Sequence, residues 1–137
     1  MSDVAKSKEL LKRYSIARIP FIAVNTIERA RTLDILKEIA EELALPFYVH
    51  TLSKGLYDLT TEKVINDDKS VYGAIDFMSE QMKRKQYMTL ILTEVPDLSG
   101  DNSDSKQILD LVTLANESGG VVIVLTNHAI WNQLQRL

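Results

Sequence analysis

The stretch that decides the fold is Gln86-Tyr87-Met88-Thr89-Leu90-Ile91-Leu92-Thr93-Glu94, which Val95-Pro96-Asp97 follows. A short, continuous apolar run that ends at a turn signal is typical of a strand buried on both faces of a parallel sheet. In open α/β sheets, ligands bind at the carboxyl ends of such strands. Here that end reads Thr93-Glu94, so the strand offers a single acidic side chain for chemistry.

Outward from this strand, apolar runs and amphipathic segments alternate along the chain. Further buried strands are predicted at 21–24, 47–51 and 121–125, and helices at 3–14, 27–43, 70–85, about 104–117 and from 129 onward. Asn25-Thr26-Ile27-Glu28 has the spacing of a capping box, with Asn25 as N-cap; Asp104 or Ser103 is the predicted N-cap of the helix near 104. Residues 60–65 fit either a short strand or an irregular excursion. The alternation predicts one domain over residues 1–137, a three-layer α-β-α sandwich around a mainly parallel sheet.

Composition narrows the range of functions. The 137 residues include no cysteine and two histidines, which excludes a disulfide framework, a thiolate zinc site and a cysteine nucleophile. The net charge of −3 argues against a broad nucleic-acid surface. No apolar run approaches the ~18 residues that a membrane span requires, and no signal peptide opens the chain. We therefore expect a cytoplasmic protein with neither nucleic acid nor membrane as a partner.

Polar residues follow several predicted strands, where they would line one edge of the sheet. A phosphate-binding loop after the first strand needs glycines and a lysine, but Asn25 and Thr26 stand there and neither residue type occurs between 24 and 31. Glu28 would repel phosphate. Arg29 and Arg31 could meet an anion, although charges on a helix surface are usually only solvated. No metal site is predicted, since Asp58, Asp67 and Asp68 lack the spacing of a calcium loop.

Two residues at this edge are candidates for nucleotide chemistry. Glu94 could orient an attacking water, although Thr93 stands where a magnesium-binding aspartate is needed; otherwise Glu94 is a polar strand end. Asn127 could contact a γ-phosphate and could equally cap the last helix. His50, in the middle of a strand, is predicted to be a hydrogen-bonded packing residue.

Two segments resemble the AAA+ ATPases. Leu90-Ile91-Leu92-Thr93-Glu94 is similar to their Walker B strand, with Thr93 at the magnesium aspartate and Glu94 at the catalytic glutamate. Val121 to Asn127 is similar to the strand that ends in the sensor asparagine, here Asn127. The segments 18–30 and 47–56 further resemble the degenerate N-terminal domain of AAA+ proteins related to a chloroplast-encoded reading frame, which precedes an intact ATPase domain.

The resemblance implies a P-loop NTPase-like strand order: the first strand beside the fourth, then the third, then the second, with a fifth beyond Leu137. It also implies that the downstream ATPase domain of a longer chain is the partner and the binder of ATP and Mg²⁺, with a homo-oligomer as a further expectation. The fragment itself is then expected to need no cofactor and to act as a non-catalytic scaffold or regulatory unit.

Two alternatives stay open at this point. One is a nucleotide hydrolase that uses Glu94 and Asn127, with an arginine in place of the missing lysine. The other is a flavodoxin-like or receiver-like binding module. A receiver needs acidic residues at the ends of its first and third strands, and Asn25 and Thr93 do not supply them.

Overall fold

The computed structural model describes residues 2–25, 28–95 and 102–126. Within these ranges the helices are α1 (Ser2–Ile16), α2 (Arg29–Leu43), α3 (Val71–Arg84) and α4 (Ser103–Ser118), and the strands are β1 (Phe21–Asn25), β2 (Phe47–Thr51), β3 (Gly55–Asp58), β4 (Val64–Asn66), β5 (Thr89–Leu92) and β6 (Val121–Thr126). In this part of the chain no helix has the length and apolar character needed to cross a membrane. The helix predicted from residue 129 lies outside the described residues.

The strands form one six-stranded sheet in the order β1-β6-β5-β2-β3-β4. Neighbours among β1, β6, β5 and β2 are parallel, whereas β3 pairs antiparallel with β2 and β4 antiparallel with β3. The observed order therefore differs from the expected four-strand order, because two antiparallel strands extend the sheet beyond β2. The prediction of a mainly parallel α/β fold is confirmed; the sheet is mixed.

Helices cover both faces of the sheet because the central strands are apolar on both faces. One apolar core joins α3 and α4 to side chains such as Leu90, Leu92 and Val122. The other joins α1 and α2 to the alternate side chains, among them Ile91 and Ile123. All residues of β5 and β6 are buried, as the unbroken apolar runs predict.

The antiparallel extension resolves the stretch that the sequence pattern leaves open. Gly55 has φ +82°, and a Cβ atom there would lie 2.6 Å from the carbonyl oxygen of Asn66. Only glycine suits this close turn between β2 and β3. Leu56 and Tyr57 are buried, whereas Val64 and Ile65 in β4 are exposed. The antiparallel extension is therefore attached to the core through the buried side chains of β3, and β4 forms the outer edge of the sheet.

Two predicted helix starts are wrong. Asn25 does not cap α2, because it pairs with Thr126 as the last residue of β1; the N-cap of α2 is Glu28, which makes no side-chain capping bond. Neither Ser103 nor Asp104 caps α4, because the side chain of Asn102 accepts a hydrogen bond from the Ser105 N–H at 2.8 Å.

Candidate functional site at the carboxyl edge of the sheet

The carboxyl ends of β1, β6 and β5 meet at one edge of the sheet, where ligands bind in open α/β folds. Asn25 ends β1 and lies exposed in register with Thr126, the last residue of β6. Thr93 and Glu94 follow the end of β5. The edge thus brings the candidates Asn25 and Glu94 to strands two positions apart, with β6 between them, whereas Thr26 and Asn127 lie outside the described residues.

Thr93, which the resemblance to AAA+ ATPases would align with the magnesium aspartate, makes its contacts within the sheet. Its side chain is buried, and its Oγ1 donates a hydrogen bond of 2.9 Å to the carbonyl oxygen of His50 at the end of β2. Its N–H lies 3.4 Å from the same oxygen. The side chain of Thr93 therefore continues the pairing of β5 with β2 beyond the end of β5. Its hydroxyl points toward β2.

Glu94 lies next to the first residue of α2. Its Oε1 is 3.6 Å from Nη1 of Arg29, and both side chains are partly exposed. β6 lies between β5 and β1 in the sheet. Because adjacent strands are about 5 Å apart, the ends of β5 and β1 are separated by about 10 Å. The ion pair between these two long side chains joins the end of β5 to the start of α2.

The N-terminus of α2 carries its own carboxylate. Glu28 is the N-cap residue, and its Oε2 lies 3.3 Å from Nη1 of Arg31. The Glu28 carbonyl oxygen accepts hydrogen bonds from both the N–H and the Oγ1 of Thr32 at 3.1 Å. A helix N-terminus attracts anions through its unpaired N–H groups, so Glu28 sets a negative charge at the place where phosphate would otherwise be favoured.

His50 is fully buried near the same edge, and the prediction of a hydrogen-bonded packing residue is confirmed. Its Nε2 lies 3.1 Å from the carbonyl oxygen of Asp68. Since a carbonyl only accepts, Nε2 carries the hydrogen. Among the described residues Nδ1 has no hydrogen-bond partner. The ring thereby ties β2 to the segment before α3.

Asp68 organises the start of α3 rather than a metal site. Its Oδ1 accepts a hydrogen bond of 2.9 Å from the Ser70 N–H, and this bond, with one from the Ser70 side chain, lowers the pKa of the carboxyl. Ser70 in turn caps α3 through the Gly73 N–H at 2.9 Å. Within 2–25, 28–95 and 102–126, no three histidine or acidic residues are grouped so as to hold a metal ion.

Arg29 is the site residue that the sequence pattern missed. Its place on the first turn of a helix favours the interpretation of a solvated charge, yet it contacts Glu94. The signal was available in the expected strand order, because the ends of the first and third strands stand only two positions apart. A long cation after one and a carboxylate after the other are within reach of each other.

A mainly parallel sheet with β1 beside β6 and polar residues at its carboxyl edge is the arrangement of an α/β domain that can bind a ligand at that edge. Residues 7–137 match the family described as the SpoVK-like AAA ATPase, N-terminal domain, and the chain belongs to this family. Comparisons with curated proteins and with solved structures gave no match.

Proposed function

We propose that this chain is a catalytically silent AAA+-like domain, the N-terminal scaffold or regulatory unit of a larger AAA+ ATPase. Membership of a family of AAA ATPase N-terminal domains supports the N-terminal role. The observation that carries the silent role is the ion pair between Arg29 and Glu94. ATP and Mg²⁺ are then ligands of an ATPase domain further along the chain, which is also the principal partner.

The ion pair opposes nucleotide binding in two ways. It engages the arginine best placed to replace the missing lysine, and it places a carboxylate beside any phosphate that would approach Arg29. Like charges a few ångströms apart repel, most strongly where water is displaced. Glu28 adds a second carboxylate at the start of α2. A triphosphate would therefore have to displace one carboxylate and tolerate another, without glycine N–H groups to compensate.

The same ion pair favours one second candidate, a nucleotide hydrolase with a divergent phosphate site. In that case Arg29 would contact the phosphates and Glu94 would orient water, as in phosphoryl transfer generally. Thr93 weakens this candidate, because its hydroxyl already donates to the His50 carbonyl oxygen.

Isothermal titration of ATP-Mg²⁺ into the chain distinguishes the catalytically silent domain from the nucleotide hydrolase. We expect no binding by the wild type up to millimolar nucleotide, and no ATP hydrolysis. Micromolar binding would defeat the silent role. Loss of that affinity in Arg29→Ala, but not in Arg31→Ala two residues further on, would establish the second candidate.

Glu94→Gln sharpens the test because it frees Arg29 from its carboxylate without changing side-chain size. If repulsion by Glu94 is what blocks the site, Glu94→Gln gains weak ATP binding, and Glu80→Gln, which removes a carboxylate from an exposed pair in α3, does not. Turnover that Glu94→Gln leaves unchanged would exclude Glu94 as the catalytic residue of a hydrolase.

The remaining elements of the proposal follow from composition and from the resemblance rather than from the site. They are a cytoplasmic location, a relationship to the AAA+ proteins of the chloroplast reading-frame group, and the absence of nucleic acid as a partner. A homo-oligomer is a further expectation.

A further inference from the structure

A cleft of about 390 Å³ lies at the opposite, amino edge of the sheet, between the C-terminal ends of α3 and α4. Met82 and Leu114 supply the apolar part of its wall, and Arg84, Lys85, Glu117 and Ser118 supply the polar part. Met82 belongs to the buried core and Leu114 packs against it. The cleft therefore combines a fixed apolar base with a charged rim.

The rim is predominantly basic. Arg84 and Lys85 are exposed and form no ion pair within the described part of the chain, while the adjacent Lys83 lies 3.2 Å from Glu80. Cations in the last turn of a helix complement its dipole, which explains this triplet in part. The helix dipole does not explain why a further cation approaches from another element.

That further cation is Arg18, from the segment between α1 and β1. Its guanidinium lies 5.0 Å from the centroid of the Tyr87 ring, and its Nη1 is 3.4 Å from the Tyr87 carbonyl oxygen. The Tyr87 N–H donates to the carbonyl oxygen of Ser118, which lines the cleft. Arg18 and Tyr87 both have positive φ, 58° and 64°, so this arrangement is held by specific contacts against the usual backbone preference.

We propose that this basic cleft binds an acidic segment of a partner protein, with one apolar side chain of that segment seated against the partly buried Leu114. The occupant is defined by charge complementarity: Arg84 and Lys85 at the end of α3 line the cleft, and Arg18 lies against Tyr87, whose N–H is bonded to the cleft residue Ser118, all on a chain whose net charge is −3. The cleft and Glu94 lie at opposite edges of the sheet. Binding of the acidic segment therefore does not depend on whether the carboxyl edge binds a nucleotide.

A protein segment fits this cleft better than a nucleic acid does. Single-stranded nucleic acids bind through stacking on open aromatic faces. The Tyr87 ring already carries the Arg18 guanidinium, and Gly119 lies so close that a Cβ there would be 2.8 Å from Cδ1 and Cε1. Glu117 in the wall would also repel a phosphate backbone.

The test is a fluorescence-anisotropy titration of the full chain with labelled peptides rich in glutamate and aspartate. One peptide carries a central leucine and its twin a serine. Protein variants are Arg84→Glu with Lys85→Glu, and the neutral pair Arg84→Gln with Lys85→Gln in case charge reversal disturbs α3. The matched control reverses Lys63 and Lys69, two exposed lysines away from the cleft.

We expect binding that weakens with salt, falls about tenfold on charge reversal and less on neutralisation, and is unaffected by the control pair. The leucine peptide should bind more tightly than its serine twin. No detectable binding by the wild type, or equal losses in the control, would overturn the proposal. An oligonucleotide of equal charge that binds as well as the peptide would also overturn it, because the occupant would then be a nucleic acid. So would a wild type that self-associates and is dissociated by the cleft variants, because the occupant would then be a second copy of the chain.

Discussion

At the scale of the residue, Thr93 explains why this edge cannot simply regain a metal-binding acid. Its buried hydroxyl donates to the His50 carbonyl oxygen at 2.9 Å. In Thr93→Asp the new carboxylate would lie opposite the carbonyl oxygen of His50. Neither group can donate a hydrogen bond to the other, and the position is buried away from water. Burial of an unpaired charge costs at least about 3 kcal/mol, so urea unfolding should show a loss of that size. A stable Thr93→Asp protein that binds Mg²⁺ would contradict this account.

Thr93→Val isolates the hydrogen bond itself. It keeps the shape of the side chain and removes the donor, so we expect a loss of about 1 kcal/mol in the free energy of unfolding. Thr113→Val is the matched control, because Thr113 makes a bond of the same length, 2.9 Å, to the Leu109 carbonyl oxygen on an exposed helix face. There water replaces the lost partner, and the change should stay within about 0.5 kcal/mol.

Single residues also show what the sequence pattern could and could not predict at the site. Thr93 and Glu94 were correctly placed at the end of a buried strand, because an apolar run and a turn signal are local. The capping-box spacing of Asn25 and Glu28 wrongly predicts that Asn25 caps a helix. The pairing of Asn25 with Thr126 joins residues about 100 positions apart, and no local pattern records it. The contact between Arg29 and Glu94 is non-local in the same sense.

At the scale of the element, α1 docks through one buried leucine and a set of ion pairs. Leu11 is 7% exposed, whereas its neighbour Leu10 is 47% exposed. Leu11→Ala should therefore cost about 2 kcal/mol, at the low end for a buried leucine since it lies at the rim of the core. Leu10→Ala should change stability by less than about 0.5 kcal/mol. Hydrogen exchange should show α1 opening before the sheet in Leu11→Ala only; equal effects of both changes would refute this docking.

The ion pairs between α1 and α2 should give the stability a pH dependence. Lys8 Nζ lies 2.9 Å from Glu42 Oε1, and Lys12 Nζ lies 3.3 Å from Glu42 Oε2. Hydrogen bonds from Lys8 and then Lys12 hold the pKa of Glu42 below its ordinary value of 4.5. A lowered pKa stabilises the fold above that ordinary value, and the contribution disappears as the pH falls through the lowered pKa.

Glu42→Gln should therefore flatten the decline of the urea midpoint below pH 4.5. Glu41→Gln is the control, because Glu41 is exposed and forms no ion pair with the residues described. If both variants keep the acid sensitivity of the wild type, these ion pairs do not contribute to it.

Helices and strands could be predicted from the sequence where the pattern that indicates them lies within the element itself. The apolar periodicity of α2 and α3 and the unbroken runs of β5 and β6 located those elements to within a few residues. The antiparallel pair β3 and β4 stayed open, because β4 has three residues with mostly exposed side chains. The close approach of Gly55 to Asn66 depends on the extension already being folded, so the sequence pattern does not indicate it.

At the scale of the whole molecule, the sheet has two unlike edges among its described strands. The Val122 N–H donates to the carbonyl oxygen of Pro20. Because backbone groups alternate in direction along a strand, those of Phe21, Ala23 and Asn25 point away from β6, toward the outer edge of the sheet. At the other edge, β4 is short and flanked by the charged residues Lys63 and Asp67, features that protect sheet edges from pairing. Edge-to-edge association should therefore run through β1.

Sedimentation velocity over a range of concentrations tests this expectation with one lysine at each edge. Ala23→Lys places a charge on an exposed position of β1 and should shift the chain toward monomer, because a lysine at an edge opposes strand addition. Val64→Lys adds the same charge to exposed Val64 in β4 and should leave the distribution unchanged. The opposite pattern would assign self-association to the β4 edge. Equal shifts would mean that repulsion between whole molecules, rather than strand pairing, governs the association.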